Sequence, residues 1–566
     1  MKVLLFWAGC LASIVSIAQP PRFEWAKNMG GTSFDVSNSI AVDGSGNVFT
    51  TGYFHETSDF DPSAGLFNLT SAGDSDIFIS KLDPAGNFLW AKRMGGSRDD
   101  RGNSIVITSL GNTYITGFFN GTVDFDPGEG IYNLTSRGFQ DMFIAKLTPT
   151  GTFELAKNIG GSNNEEGIAI ALDVSGNVFI TGYFVDTVDF DPGTGTHNLI
   201  SQGDGDIFIL KLDPMGNLLW AKNVGGAFSD RGNFIAVDLT GNVYTTGSFI
   251  GMVDFNPGTA VFNLTSDSPT YSDIFISKLD VFGNFKWAKN MGGPNSDEGL
   301  SIAVDALGNV YTTGYFKGTA DFDPGSGSYQ LTSTVDDDCF ISKLDSSGNF
   351  MWAKNMEGTS VTQGRSIVLD AFGNIYISGY FLESADFDPG SGTFNLTSSG
   401  FSDLFVSKLD AFGNFVWATS NGGNLWDGGN SLSVDASGNV YSTGQFAVTV
   451  DFDPHEGLSN LTSFGATDIY ILKISQLKTV GVNGSINSNN LTAFPNPTNG
   501  LITLVFSKAI NTGHLELYNS MGVLVYQQTT AKDVRSIDLT PYPNGLYIAK
   551  WLGNHNEVFT LKLIKH

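Results

Sequence analysis

The chain has 566 residues and a formal net charge of −27 at pH 7, with 41% hydrophobic residues, 15% charged residues and 69 glycines. Hydrophobicity this high with so little charge excludes a disordered chain, and the length allows two or three domains of a β-rich, turn-rich kind. The acidic balance disfavours nucleic acid and anionic lipid as partners and favours divalent cations or basic groups.

In chain order, the first segment reads as a targeting sequence. Lys2, the apolar run Val3 to Ile17 and the small residues of Ser16-Ile17-Ala18 before Gln19 predict a signal peptide over residues 1–18. A lipoprotein alternative would acylate Cys10 in Ala8-Gly9-Cys10; bulky Trp7 and an apolar run that continues past Cys10 speak against it. No later segment reaches the ~20 apolar residues of a spanning helix. Without Cys10 only Cys339 remains, so no disulfide is expected within the mature chain. Cys339 stands where other repeats carry Ile, Met or Leu, which predicts a core residue.

The body of the chain is an internal repeat. Trp25 of Trp-Ala-Lys recurs as Trp90, Leu155, Trp220, Trp287, Trp352 and Trp417, in steps of 65 residues with a single step of 67. Pro62 of Asp-Phe-Asp-Pro recurs in the same steps as Pro127, Pro192, Pro257, Pro324, Pro389 and Pro454, and the two additional residues fall near Pro269 to Tyr271. Each repeat predicts four strands, in the first copy Ser39 to Asp43, Asn47 to Phe54, Asp76 to Leu82 and Phe88 to Met94. They are rich in β-branched and aromatic residues and separated by Gly, Asp, Asn and Pro. A four-stranded sheet per repeat, set radially, is a propeller blade. The array opens on a fourth strand, Phe23 to Met29, and closes on a third, Asp468 to Ser475. Pairing of the two would close the ring and remove its free edges; an open solenoid would need atypical capping repeats at its ends. The column of tryptophans on the outer strand is expected to pack blade against blade rather than stack sugars.

The repeat resembles the SBBP-type β-propeller repeats of bacterial secreted proteins, on Gly308 to Tyr315 (GNVYTTGY), Asp273 to Asp280 (DIFISKLD) and Trp287 to Gly293 (WAKNMGG). Leu155 for Trp, Glu357 for Gly and Thr419 for Lys depart from it.

After Ser475 the composition shifts. Val480 to Asn490 is rich in Gly, Asn and Ser and reads as linker. Six short strands follow between Ile502 and Ile564, which predicts a small β-sandwich. This tail resembles the C-terminal sorting domain of the type IX secretion system, on Phe494 to Gly500 (FPNPTNG), Glu516 to Gly522 (ELYNSMG), Pro543 to Tyr547 (PNGLY) and Leu561 to Lys565 (LKLIK). The resemblance implies export through the periplasm, engagement of the type IX machinery by residues 491–566, and release or attachment at the cell surface. The expected fold is therefore all-β: a seven-bladed β-propeller over 22–476, a linker over 477–490 and a C-terminal β-sandwich over 491–566.

Chemistry is sparse. The six histidines are scattered, and no His-Glu-x-x-His, Gly-x-Ser-x-Gly or phosphate-loop motif occurs, so no catalytic residue is assigned. The candidate constellation is Asp-x-Asp in each Asp-Phe-Asp-Pro: Asp59/Asp61, Asp124/Asp126, Asp189/Asp191, Asp254/Asn256, Asp321/Asp323, Asp386/Asp388 and Asp451/Asp453. Carboxylates two apart in a turn can offer oxygens to Ca²⁺; the same residues also suit a turn in which Asp caps its own backbone. These loops, and those after Gly-Gly, are long and emerge on one face, and the loop from Glu56 to Asp74 predicts an additional short hairpin carrying Asn68-Leu69-Thr70. The expected function is that of a monomeric secreted or cell-surface binding or structural module, engaging a glycan, a protein or a cation through this acidic face. The alternative is a polysaccharide hydrolase or lyase using Asp and Glu there.

Overall fold

The computed structural model describes residues 20–454 and 457–476 and, towards the C-terminus, 491–494, 498, 500–506, 513–519, 524–530, 534–542, 545–553 and 558–565. The leader, Cys10 and the linker lie outside the described residues. The chain divides into two compact units, one ending at Gln476 and one beginning at Leu477.

In the first unit the repeats fold as four-stranded antiparallel sheets. The first comprises an inner strand Asp35–Val42, then Val48–Asp59, Asn68–Leu82 and an outer strand Phe88–Gly96, each paired with the next. Six more follow with inner strands Arg101–Ile107, Glu165–Leu172, Arg231–Val237, Glu298–Val304, Thr362–Leu369 and Gly428–Val434; the seven are numbered here as blades 1 to 7. The inner strands contact one another in sequence, and that of blade 7 contacts that of blade 1, so they surround a central channel.

Turn chemistry sets these hairpins. Asp43 carbonyl accepts from Gly46 N–H at 2.9 Å, Gly46 has φ +82°, and Asp43 N–H donates to Asn47 carbonyl at 3.0 Å. Asp43 Oδ1 accepts from the Ser45 and Asn47 amides at 2.9 Å, locking a turn that needs Gly at its left-handed position. The longer loop between second and third strands forms the expected hairpin, with Thr57, Ser58 and Asp59 opposite Thr70, Leu69 and Asn68.

The seam closes as the phase of the repeat predicts. Blade 7 takes its outer strand, Arg22–Gly31, from the start of the unit, with Phe23 opposite Ile474 and Met29 opposite Ile469. Core clusters lie between neighbouring sheets: Ile77 and Ile79 of blade 1 pack with Ile115, Phe119 and Phe143 of blade 2. The tryptophans join blades as expected. Trp25 Nε1 of blade 7 donates to Pro84 carbonyl of blade 1 at 3.3 Å, and Trp220 of blade 3 donates to Val281 of blade 4 at 3.2 Å. Cys339 is fully buried against Thr313, as a core residue should be, and burial pushes its thiol up to about 12.

The C-terminal unit holds two antiparallel sheets among its described residues. One joins Leu491–Phe494, Leu501–Phe506 and Val534–Asp538; the other joins Leu524–Thr530, Gly513–Asn519, Gly545–Gly553 and Val558–Lys565. They share a buried cluster including Ile502, Leu504, Leu515, Leu517 and Trp551. The strand Leu491–Phe494 extends the order of elements expected from sequence by one. No helix of the described residues is long and apolar enough to cross a membrane.

Candidate functional site

The Asp-x-Asp pairs sit at the base of the additional hairpins, where both members serve the backbone. Asp59 Oδ1 accepts from Asp61 N–H at 3.0 Å and Phe67 N–H at 2.8 Å. Asp124, Asp189, Asp254, Asp321, Asp386 and Asp451 repeat both bonds. The second member caps the next turn: Asp61 accepts from Ser63 N–H at 3.0 Å, Asp191 from Gly193 N–H at 2.8 Å, and Asp126, Asp323 and Asp388 from the amides of Gly128, Gly325 and Gly390, each at 2.9 Å. Neutral Asn256 makes the same bond to Gly258 at 2.9 Å, so this position requires an acceptor, not a charge. In blade 7, Asp453 donates its N–H to Asp451 Oδ1 at 3.1 Å. Its carboxylate lies against Gly457, where a Cβ would fall 2.0 Å from Oδ2, just as Asp191 lies against Gly195 and Asp323 against Gly327.

Among the described residues, no three His, Cys, Asp or Glu side chains come together as a metal-holding group. No third acidic ligand therefore joins Asp59/Asp61, Asp124/Asp126, Asp189/Asp191, Asp321/Asp323, Asp386/Asp388 or Asp451/Asp453. In each pair Oδ1 of the first member is held by two backbone amides.

A second set of carboxylates, unmarked in the sequence reading, is buried between blades. The third strand contains Asp76, Asp141, Asp206, Asp273, Asp338, Asp403 or Asp468, and at or just before the start of the next blade's inner strand stands Asp100, Glu165, Asp230, Asp297, Thr362, Asp427 or Asp35. The inner-strand acid clamps two backbone segments. Asp297 Oδ2 accepts from Gly293 N–H at 2.7 Å and its Oδ1 from Lys317 N–H at 3.0 Å. Burial pushes Asp297 and Asp273 up to about 7, each raised further by neighbouring carboxylates.

These acids explain the Gly-Gly after each outer strand. A Cβ on Gly292 would lie 2.6 Å from Asp273 Cγ. In blade 5 the corresponding residue is Glu357, and the next inner strand there carries Thr362 in place of the acid. Asp338 turns to accept the Gly358 N–H itself at 2.9 Å, the bond that Asp297 makes at the preceding junction. The two departures from the repeat are one local rearrangement.

The third feature is the mouth of the central channel, at the end where the long loops emerge. It is an open cavity of about 660 Å³ lined by, among others, Asn38, Tyr53, Arg231, Glu298, Arg365 and Tyr380. Every inner strand has a register shift at the same point, between residues 37/39, 102/104, 167/169, 232/234, 299/301, 364/366 and 429/431. The skipped residues are Asn38, Asn103, Ile168, Asn233, Leu300, Arg365 and Asn430. Such bulges re-aim a side chain out of the pleat alternation. Four of the asparagines join blades: Nδ2 of Asn38, Asn103, Asn233 and Asn430 donates to the carbonyl of Gly102, Gly167, Gly299 and Ser37, each at 3.0 Å.

Two residues before the bulge the repeats carry Val36, Arg101, Glu166, Arg231, Glu298, Gln363 and Gly428, opposite Tyr53, Phe118, Tyr183, Ser248, Tyr315, Tyr380 and Gln445. The seven-fold pattern thus breaks in three adjoining columns at the channel mouth, while the turn-capping Asp59-type position stays Asp in all seven copies. The arginines lie over aromatic rings, Arg101 4.3 Å from the centroid of Tyr53, and Arg231 and Arg365 5.1 Å from those of Tyr183 and Tyr380. Glu166 accepts from Asn103 at 2.9 Å and Arg231 at 3.1 Å. Glu298 accepts from Asn233 at 2.9 Å and Ser248 at 3.3 Å on Oε1, and from Tyr315 at 2.8 Å on Oε2. Sequence reasoning passed over this site because it treated inner strands as scaffold; aligning the repeats column by column would have found it.

This architecture is that of an all-β propeller-repeat protein. Residues 286–318 match the family described as a beta-propeller repeat, and residues 492–566 match the secretion system C-terminal sorting domain. The chain therefore carries an SBBP repeat and a type IX sorting domain. An uncharacterized WD repeat-containing protein of Acanthamoeba polyphaga mimivirus is 25% identical over 504 residues, covering 75% of this chain and 36% of its own length. This chain thus spans about a third of that relative. Among solved structures, the WD40 β-propeller domain of Doa1 is 10% identical with a TM-score of 0.38, covering 81% of this chain and 97% of that one. PorZ, a surface component of the type IX secretion system of Porphyromonas gingivalis, is 12% identical with a TM-score of 0.29, covering 95% of this chain and 75% of its own.

Proposed function

We propose that the protein is a secreted binding module whose ligand seats in the channel mouth at the centre of the long-loop face. The observation that carries this reading is where the repeats diverge. Residues that differ from blade to blade converge on the cavity of about 660 Å³, whereas the acidic Asp-x-Asp turns are occupied with backbone amides. Function concentrates where a repeated scaffold presents unlike side chains. A hydrolase or lyase would need a pair of carboxylates at this site, whereas Glu298 is the single carboxylate among the residues lining the cavity. The proposed route begins with a signal peptide over residues 1–18, passes through the periplasm and uses residues 491–566 as the export signal after a linker over 477–490. Ca²⁺ held by the Asp-x-Asp pairs is kept as a separate proposal, tested by chelation. An array of neutral, uronate-containing and sulfated oligosaccharides, probed with the mature chain and with Ile168→Trp to fill the mouth, tests the reading. Binding abolished by the filled mouth supports it; binding unaffected by Ile168→Trp overturns it.

A further inference from the structure

Resting on that reading, we infer that the mouth selects an anionic saccharide, with Arg365 receiving the carboxylate or sulfate of one sugar residue. The chain as a whole repels anions, so an anion site needs a local cation that is not already neutralised. The arginines along the inner strands differ in this respect. Arg101 is ion-paired with Asp99 at 3.0 Å and Arg231 with Glu166 at 3.1 Å. Arg365 has no carboxylate partner among the described residues; it is exposed at a bulge position and contacts the face of Tyr380.

That ring is held in place from behind. Tyr380 hydroxyl donates to Gln363 Oε1 at 2.9 Å, and Gln363 Nε2 donates to Asp337 Oδ2 at 2.9 Å. The guanidinium thus lies over a fixed aromatic plane beside the cavity it lines, the arrangement that favours bidentate capture of a planar carboxylate. Of the two nearby acids, Glu298 is already bonded by Asn233, Ser248 and Tyr315, and Asp337 Oδ2 by Gln363, and neither is ion-paired with Arg365.

The remaining lining argues for a sugar rather than an apolar ligand. The Nδ2 groups of Asn38, Asn233 and Asn430 are spent on the blade junctions, which leaves their Oδ1 atoms and Gln445 Nε2 to face a ligand, and Tyr53, Tyr315 and Tyr380 supply rings, while only Val36, Ile168 and Leu300 are aliphatic. Amides that bond hydroxyls and aromatic planes that stack pyranose faces, around a single uncompensated cation, fit a uronate or a sulfated sugar.

Calorimetry of the mature chain with oligogalacturonate, its neutral methyl ester and a sulfated galactan oligosaccharide tests the inference, using wild type, Arg365→Gln and Ile168→Trp. The acidic oligosaccharide should bind at least about ten-fold tighter than the ester and lose about ten-fold or more in Arg365→Gln. Binding should weaken with salt, and an unchanged melt shows that the variant is folded. The sulfated arm distinguishes carboxylate from sulfate as the anion. Equal binding of acid and ester that disappears in Ile168→Trp would overturn the charge inference while leaving the binding site standing. Binding indifferent to both substitutions would overturn both, and absence of binding by either acidic saccharide at millimolar concentration would overturn the inference alone.

Discussion

The Gly-Gly after each outer strand gives the most exacting test of the packing argument. In Gly292→Ala the new Cβ falls 2.6 Å from Asp273 Cγ, 2.8 Å from Oδ1 and 3.0 Å from Oδ2, so the carboxyl group must turn away. Overpacking of a closed site costs about 1–3 kcal/mol. Turning breaks the bond of 3.0 Å from Asp267 N–H, and an unmet buried group adds about 1–3 kcal/mol. The sum is roughly 2–6 kcal/mol. With about 2 cal/mol/K per residue over residues 20–476, the unfolding entropy is about 1 kcal/mol/K, so Tm should fall by roughly 2–6 °C. Glu357→Ala at the equivalent position of blade 5 should shift Tm by less than about 1 °C, because Asp338 has already turned to Gly358. Adding Asp297→Thr to Gly292→Ala recreates the Glu357/Thr362 arrangement and should cost at least about 1 kcal/mol less than the two single changes summed. Calorimetric melts of the mature chain and its four variants decide it. Equal effects of Gly292→Ala and Glu357→Ala would refute the reasoning, as would strict additivity of the double variant.

Other outcomes follow from the same structure. The inter-blade acids sit well above their ordinary range in the folded state, from about 6 at Asp35 and Asp403 to about 8 at Glu165, because burial disfavours their charge. Folded protein therefore holds more protons than unfolded chain between about pH 4 and 8, and stability falls as pH rises through that window. Turn acids such as Asp213 and Asp345, held low by backbone bonds that outweigh their burial, lose stability only below about pH 4. Tm should thus be higher at pH 5.5 than at pH 8, and the reverse order would contradict the burial argument. A melt with and without EDTA should show no shift if the Asp-x-Asp pairs only cap turns; a rise in Tm with added Ca²⁺ would make them cation ligands. A thiol reagent should modify Cys339 only after denaturation, read by absorbance before and after guanidinium. Deleting residues 22–31 should leave Asp468–Ser475 as an open edge and appear as oligomers on size-exclusion chromatography.

Much of the fold was legible because each blade repeats the same local chemistry. Asp43, Gly46 and Asn47 specify their hairpin without outside help, and the phase of the array identifies Arg22–Gly31 as the missing outer strand. The site was not legible in the same way. Exposed acidic loops drew the functional reading, yet Asp59 and Asp61 turn their oxygens to neighbouring amides. Asp76 and Asp100, by contrast, look like strand-flanking turn residues in sequence, and only the approach of two blades buries them side by side. Arg365 was hidden for a different reason. At a bulge, alternation no longer tells which way a side chain points, so period-two reasoning fails where the channel lining is made.

The strand exchange at the seam also acts as a length gauge. Arg22 opens the first strand of the propeller unit and pairs with Ser475, so its edge stays unmatched until the last repeat is available. Closing so long a loop costs on the order of 5 kcal/mol in chain entropy, which only the full complement of blades can offset. A chain stopped one repeat short keeps two adhesive edges and betrays itself by association, whereas a complete one becomes edge-free in a single step. The same strand pairing that finishes the ring therefore distinguishes finished molecules from unfinished ones.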